Sequence, residues 1–298
     1  SYVGKDKRPE AASVLDFTQS AAQIGALVRG LDHGGYWNPL AAPKVVSGDR
    51  LLTVLAYLGS EAAQAAPGTV LSHDGDTALI ATADAAVRLQ FLGALPQVGT
   101  VIATLAAQDR ARLTGLAAGA AKHDGWWRKR LAAMNPAVLP GEGSGESLRV
   151  QLIPGAAPER VALAASLLAR LAGQVEFDLA LRPAGQPELA GLAAGIIADW
   201  QPLAIDARSD RSLSDLGAEL AARIEAQAKR GTFTRDLTHR APELREAATP
   251  DLAISLAPRG PVPGAALTVS LTDDAAYLDH DPARISAAQA QRLARALD

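Results

Sequence analysis

The chain has no cysteine in 298 residues, which removes disulfides, thiol nucleophiles and thiolate metal sites together. That absence fits a reducing compartment, and the cytoplasm is the expected location. Aromatic residues are scarce at 4%, while 48% of the chain is hydrophobic and much of that is alanine. Large anchors are therefore few, and two modest cores are expected rather than one. No charge-free apolar run reaches the roughly 18 residues of a membrane span, and no basic-then-apolar leader opens the chain. A formal charge of −3 supplies no cationic surface for a phosphate backbone or an anionic membrane, so neither nucleic acid nor membrane is an expected partner. There is no G-x-S-x-G elbow and no phosphate-binding loop. The chain starts at Ser1 and stops at Asp298 within a helical pattern; a piece excised from a longer polypeptide is expected.

In the first third, 16–20 offers helix caps, and Ile24, Leu27, Val28 and Leu31 recur at spacings of three and four, which makes one buried helical face. Segments 51–58, 69–72, 78–81 and 87–92 have strand character. Pro67-Gly68, Asp74-Gly75-Asp76 and Asp84 punctuate them, with Ser47-Gly48-Asp49 ahead of the first, a pattern that predicts a small open β-barrel. Tyr2 with Gly4-Lys5, Leu15-Asp16-Phe17, Val28-Arg29-Gly30-Leu31, Lys44, Pro67-Gly68-Thr69-Val70 and Ala81-Thr82-Ala83-Asp84 occur in an order that resembles the C-terminal domain of methionyl-tRNA and sugar-nucleotide formyltransferases. The resemblance implies a barrel that follows a catalytic Rossmann-like domain bearing an Asn, a His and an Asp; nothing here corresponds to that domain. Residues 1–108 hold seven Lys plus Arg against nine Asp plus Glu, so the tRNA-binding role of the family is not expected.

A helical bridge is expected over 109–122, after a strand from about 100, with Leu105, Leu113 and Leu116 buried. Beyond it, 148–152, 175–181, 252–256, 265–271 and 275–279 read as strands. Helices are expected at 158–171, 212–227, 235–244 and 282–297, so helices and strands of one sheet alternate. The glycine-bearing stretch 140–146 reads as the flexible segment of the chain. Trp127-Arg128-Lys129-Arg130-Leu131 followed by Leu139-Pro140, then Pro202-Leu203-Ala204-Ile205-Asp206, Ser212-Leu213-Ser214-Asp215-Leu216 and Pro242-Glu243-Leu244 resemble, in that order, the C-terminal half of a nonribosomal peptide synthetase condensation domain. The resemblance implies a chloramphenicol acetyltransferase-like α/β half-lobe over 123–298 and an adjoining adenylation domain. It also implies a His-His-x-x-x-Asp-Gly motif, and setting Asp124-Gly125 on its end puts Gly119 and Ala120 where the histidines belong.

The fold class expected is thus α+β, a formyltransferase C-terminal-like barrel (1–108) joined to a truncated condensation lobe (123–298). No catalytic, cofactor-binding or metal-ligating residue is assigned, and no cofactor is expected. His123-Asp124 reads as a solvated helix-end turn, because consecutive side chains diverge and no second histidine accompanies them. His33, His73, His239 and His280 have no metal-ligand spacing. Trp126, Trp127 and Leu131 are the candidate interdomain seam, and Tyr36 with Trp37 the candidate partner surface. These readings give a fragment that is not itself an enzyme. It would be a noncatalytic interaction module packing on an adenylation domain, with a carrier protein or tailoring enzyme as possible partner. The alternatives are the rear portion of a formylating initiation module and an acyltransferase with a new site at the lobe junction.

Overall fold

The computed structural model describes residues 7–139, 146–147, 149–186, 188–208 and 210–298. Tyr2, Gly4, Lys5, Pro140, Leu148 and all of the 140–146 segment except Glu146 lie outside them. The protein is a mixed α+β fold with a curled half-barrel sheet. It forms two compact units, Ser1–Arg128 with Glu188–Ala198 and Phe233–Glu246, and Lys129–Pro187 with Asp199–Thr232 and Ala247–Asp298. This division differs from the one read from sequence, which kept everything after 123 together. Residues 193–205 account for part of the difference: Ala193 and Ile196 enter the first core, whereas Leu203 and Ile205 enter the second.

In the first unit, helix α1 (Ala21–Leu31) opens on a capping box in which Ser20 and Gln23 bond each other's backbone N–H. It buries Ile24, Val28 and Leu31 as the spacing predicts. Strands β1 (Lys44–Ser47), β2 (Arg50–Glu61), β3 (Val70–Asp74), β4 (Thr77–Ala81) and β5 (Ala86–Phe91) form an antiparallel sheet ordered β1-β2-β5-β4-β3. Register shifts in β2 at Val54/Ala56 and Tyr57/Gly59, and in β3 at Val70/Ser72, curl the sheet. Gly68 is required where it stands: its φ is +86°, and a Cβ would lie 2.4 Å from the Ile102 carbonyl oxygen. The strand expected from residue 100 does not form; only Val101 bridges Thr69. Helices α2 (Ala107–Ala121) and α3 (Asp124–Ala132) follow, with Leu113 and Ala117 in the core.

In the second unit, β6 (Arg149–Leu152), β7 (Glu176–Arg182), β8 (Gln201–Asp206), β9 (Leu252–Ser255), β10 (Leu267–Leu271) and β11 (Ala276–His280) make a sheet ordered β6-β11-β10-β9-β7-β8. The pairs β7–β9 and β9–β10 are parallel and the others antiparallel. The parallel centre is buried on both faces: β9 is apolar from Leu252 to Ile254, whereas β10 alternates and buries Thr268 and Ser270 beside Leu267, Val269 and Leu271. Helices α4 (Pro158–Ala172), α5 (Leu213–Ala228) and α6 (Ala287–Leu297) contribute Leu168, Leu220 and Ala290 to this core. Ser212 caps α5 through the Asp215 N–H, and Ser286 forms a capping box with Gln289.

Helices α4 and α5 meet most tightly at Gly217, where a Cβ would stand 2.8 Å from the Pro158 carbonyl carbon and oxygen. Backbone cannot yield as a side-chain tip can. Gly217→Ala is therefore expected to cost about 1–3 kcal/mol through overpacking, despite the better helix propensity of alanine; urea unfolding of the variant checks this, and a gain in stability would contradict it. Among the described residues no helix is long and apolar enough to cross a membrane.

Candidate functional site

The most heavily built polar feature lies inside the first unit. Asp236, on the segment that returns at 233–246, accepts from Lys44 Nζ at 2.6 Å, from the Ala42 N–H at 3.1 Å and from Arg240 Nε at 2.9 Å. Arg240 also donates from Nη1 to the Asn38 carbonyl and from Nη2 to Thr234 Oγ1, each at 2.9 Å. The same Nη2 reaches Asp124 Oδ2 at 3.0 Å, where Arg8 meets it at 3.0 Å. Five ionised side chains thus alternate in sign through the core, three cations holding two carboxylates, and all five are at least nine-tenths buried.

Burial alone would raise the Asp236 carboxyl pKa. The charges of Lys44 and Arg240, with the hydrogen bonds from Lys44 and Ala42, hold it far below the usual carboxylate range instead. Arg240 is pushed up by Asp236 and Asp124 against the opposing effect of its own burial. The cluster also secures a strained turn. Ala11, Ala12 and Ser13 all have positive φ, at 50°, 54° and 68°, a conformation costing about 1–2 kcal/mol per residue. Lys44 Nζ donates to the Ala12 carbonyl at 3.1 Å, and the Ala11 N–H donates to Thr114 Oγ1 at 2.8 Å. The surroundings over-determine the turn, as strained segments require.

The reading of His123-Asp124 as a solvated turn is corrected here. Asp124 is 4% exposed and bonds two arginines, because partners 116 residues away on either side come to it. Both arginines meet the same oxygen, Oδ2, while Oδ1 is buried with no hydrogen-bond partner among the described residues. His239, by contrast, stands at the rim of the cluster, where partial desolvation and Lys44 lower its pKa against the opposing pull of Asp236. The imidazole is therefore neutral near pH 7 and able to accept a proton. It lines a cavity of about 180 Å³ together with His33, Tyr36 and Arg240, so two histidines isolated in sequence line one cavity. Among the described residues no three His, Cys, Asp or Glu side chains converge as metal ligands would.

The structure separates the residues proposed for a partner surface. Tyr36 is 82% exposed, while Trp37 is half-buried with Arg128 4.7 Å and Arg240 5.1 Å from its ring centre. Arg128 is ion-paired with Glu243. Of the residues proposed for a seam, Trp127 is fully buried, Trp126 packs edge-on against it at 4.6 Å, and Phe233 lies 5.7 Å away. Leu131 is also buried, but in the second unit. Sequence reading missed Arg8, Asp236 and Arg240 altogether. The i,i+4 spacing of Asp236 and Arg240 was the one available signal.

Residues 9–94 match one family model, the formyl transferase C-terminal domain. The match coincides with the curled sheet, α1 and the left-handed turn. No curated protein matches the chain. Among solved structures, the starter condensation domain of the rhizomide synthetase RzmA, in a mutant form bound to C8-CoA, aligns at 14% identity and a TM-score of 0.48, over 74% of this chain and 67% of that one. The first condensation domain of the calcium-dependent antibiotic synthetase, with a substrate analogue, aligns at 14% identity and a TM-score of 0.47, over 78% and 67%. The chain spans 64%, 57% and 55% of the length of three other chains of the rhizomide synthetase domain. These findings correct the expectation that the fragment is not an enzyme. The matched family model is a domain of formyl transferases, which are enzymes.

Proposed function

We propose that the chain is the portion of a nonribosomal peptide synthetase in which a formyl transferase-type barrel is fused to half of a condensation domain, and that it takes part in group transfer as a section of that multienzyme. The observation that carries the reading is the match of residues 9–94 to the formyl transferase C-terminal domain in a chain whose remainder keeps the condensation-domain motif order. Two of those motifs support it by position: Pro202-Leu203-Ala204-Ile205-Asp206 forms the edge strand β8, and Ser212 caps α5. In this reading the chain packs against an adjacent adenylation domain, and exposed Tyr36 belongs to a face that docks a carrier protein or tailoring enzyme. Sedimentation of the purified chain with the adenylation domain of the same synthetase tests it: one complex is expected, and two independently migrating species would overturn the reading.

The family match favours a second, narrower version, in which the chain is the rear portion of a formylating initiation module and the catalytic domain lies upstream. Transfer of a formyl group to a carrier-bound aminoacyl group by the complete module separates this version from the first. An upstream segment lacking the Asn, His and Asp of that family would count against it.

A further inference from the structure

The ionic cluster of the first unit does not spend all of its hydrogen-bonding capacity. The Lys44 ammonium has three N–H groups, and they go to the Ala12 carbonyl, the Ala42 carbonyl and Asp236 Oδ2. The Arg240 guanidinium has five. Four are placed, from Nε to Asp236 Oδ1, from Nη1 to the Asn38 carbonyl and from Nη2 to Asp124 Oδ2 and Thr234 Oγ1. One N–H on Nη1 is left over. Asp236 Oδ2 accepts twice, from Lys44 and from the Ala42 N–H, whereas Oδ1 accepts once and keeps a lone pair. Thr234 Oγ1 accepts from Arg240, and its own O–H has no acceptor among the described residues. Two donors and one acceptor are therefore unspent, all on buried side chains.

Thr234, Asp236 and Arg240 line one small pocket, together with Lys44, Ala117 of α2 and Ile196. About 10 Å³ of it is open to the centre of a water molecule, which is close to the least that holds one. Anything larger is excluded. An apolar cavity of this kind stays dry, but a polar one with two to four partners does not. An ion of either sign would meet a charge of its own kind, since chloride would lie against Asp236 and sodium against Lys44 and Arg240. A neutral dipole that accepts and donates meets no such conflict. All six of these lining residues are less than a tenth exposed, so an occupant is shielded from bulk solvent.

We propose that this pocket is the binding site of one internal water, which accepts from the Thr234 O–H and the remaining Arg240 N–H and donates to Asp236 Oδ1. Three hydrogen bonds are the usual complement of a buried water. The site is independent of the synthetase reading and stands or falls separately. A high-resolution crystal structure of the full chain tests it directly: a single density peak is expected within hydrogen-bond distance of Thr234 Oγ1 and Asp236 Oδ1. Thr234→Val keeps the shape of the side chain and removes the hydroxyl. In that variant the peak should be lost, and deuteron relaxation dispersion in solution should fall by the equivalent of one long-lived water. Should the variant not fold, the density of the parent alone decides. Crystals soaked in sodium bromide should show no anomalous signal in the pocket. A parent pocket without a peak, a peak and dispersion unchanged in Thr234→Val, or bromide bound at this position would each overturn the proposal.

Discussion

Replacing Asp236 with alanine is expected to destabilise the first unit by about 3–5 kcal/mol, the usual result of removing one partner from a buried ion pair. The loss arises less from the missing attraction than from what stays behind. Lys44 Nζ would keep the Ala12 and Ala42 carbonyls, at 3.1 and 2.8 Å, and lose its counter-charge, while Arg240 would be left with one carboxylate partner, Asp124, beside the Asn38 carbonyl and Thr234 Oγ1. The Ala11–Ser13 turn would also lose part of the framework that offsets its left-handed strain. Denaturant titration followed by tryptophan fluorescence measures the effect, and a change under 1 kcal/mol would show that the cluster is not a stability element. The double variant Asp236→Ala with Lys44→Met should recover part of the loss, since it removes the orphaned ammonium along with its partner. The same carboxylate sets the acid limit. Its pKa in the folded protein lies below its unfolded value near 3.9, so its contribution is fully present above about pH 4 and is lost as pH falls toward the folded value. The parent should therefore destabilise more steeply than Asp236→Ala between about pH 4 and pH 2.

How much of this was legible in the sequence depends on how local the determinants are. Helix α1 follows from Ile24, Val28 and Leu31 at helical spacing behind Ser20, all within eleven residues of one another. Strands β2 to β5 were legible because Asp74-Gly75-Asp76 and Ser47-Gly48-Asp49 mark turns chemically. Short β1 was not, because four residues behind a proline carry no period of their own. In the second unit β9 and α5 were read nearly to the residue, because the Leu252–Ile254 run and the Ser212 cap are local signals, whereas the closing helix starts at Ala287, behind its Ser286 cap, and not at 282. The ionic cluster had no such signature. Asp124 looked solvated because its immediate neighbours are polar, and its arginines arrive from 116 residues on each side. The return of 188–198 and 233–246 to the first unit was hidden for the same reason: hydrophobic pattern tells which residues are buried, but not in which core. Pro242-Glu243-Leu244 accordingly folds with the first unit.

Trp127→Ala should be the most damaging single truncation of an aromatic side chain in the protein, at about 3–5 kcal/mol for emptying a fully buried indole site. Trp127 has neighbours on both sides, Trp126 edge-on at 4.6 Å and Phe233 at 5.7 Å. A cavity there cannot close by movement of one flexible residue. Its Nε1, however, is buried without a hydrogen-bond partner among the described residues, so part of the ring's favourable packing is already offset by an unsatisfied donor costing about 1–3 kcal/mol. Trp127→Phe removes that donor and keeps most of the aromatic volume, and its cost should fall below about 2 kcal/mol. Trp126, only half-buried, has less to lose, and Trp126→Ala should cost about 1–2 kcal/mol. Far-UV circular dichroism in guanidinium is the suitable readout, because both substitutions alter the fluorescence itself. The order expected is Trp127→Ala well below Trp127→Phe and Trp126→Ala; equal midpoints for the two alanine variants would mean that the pair acts as surface and not as core.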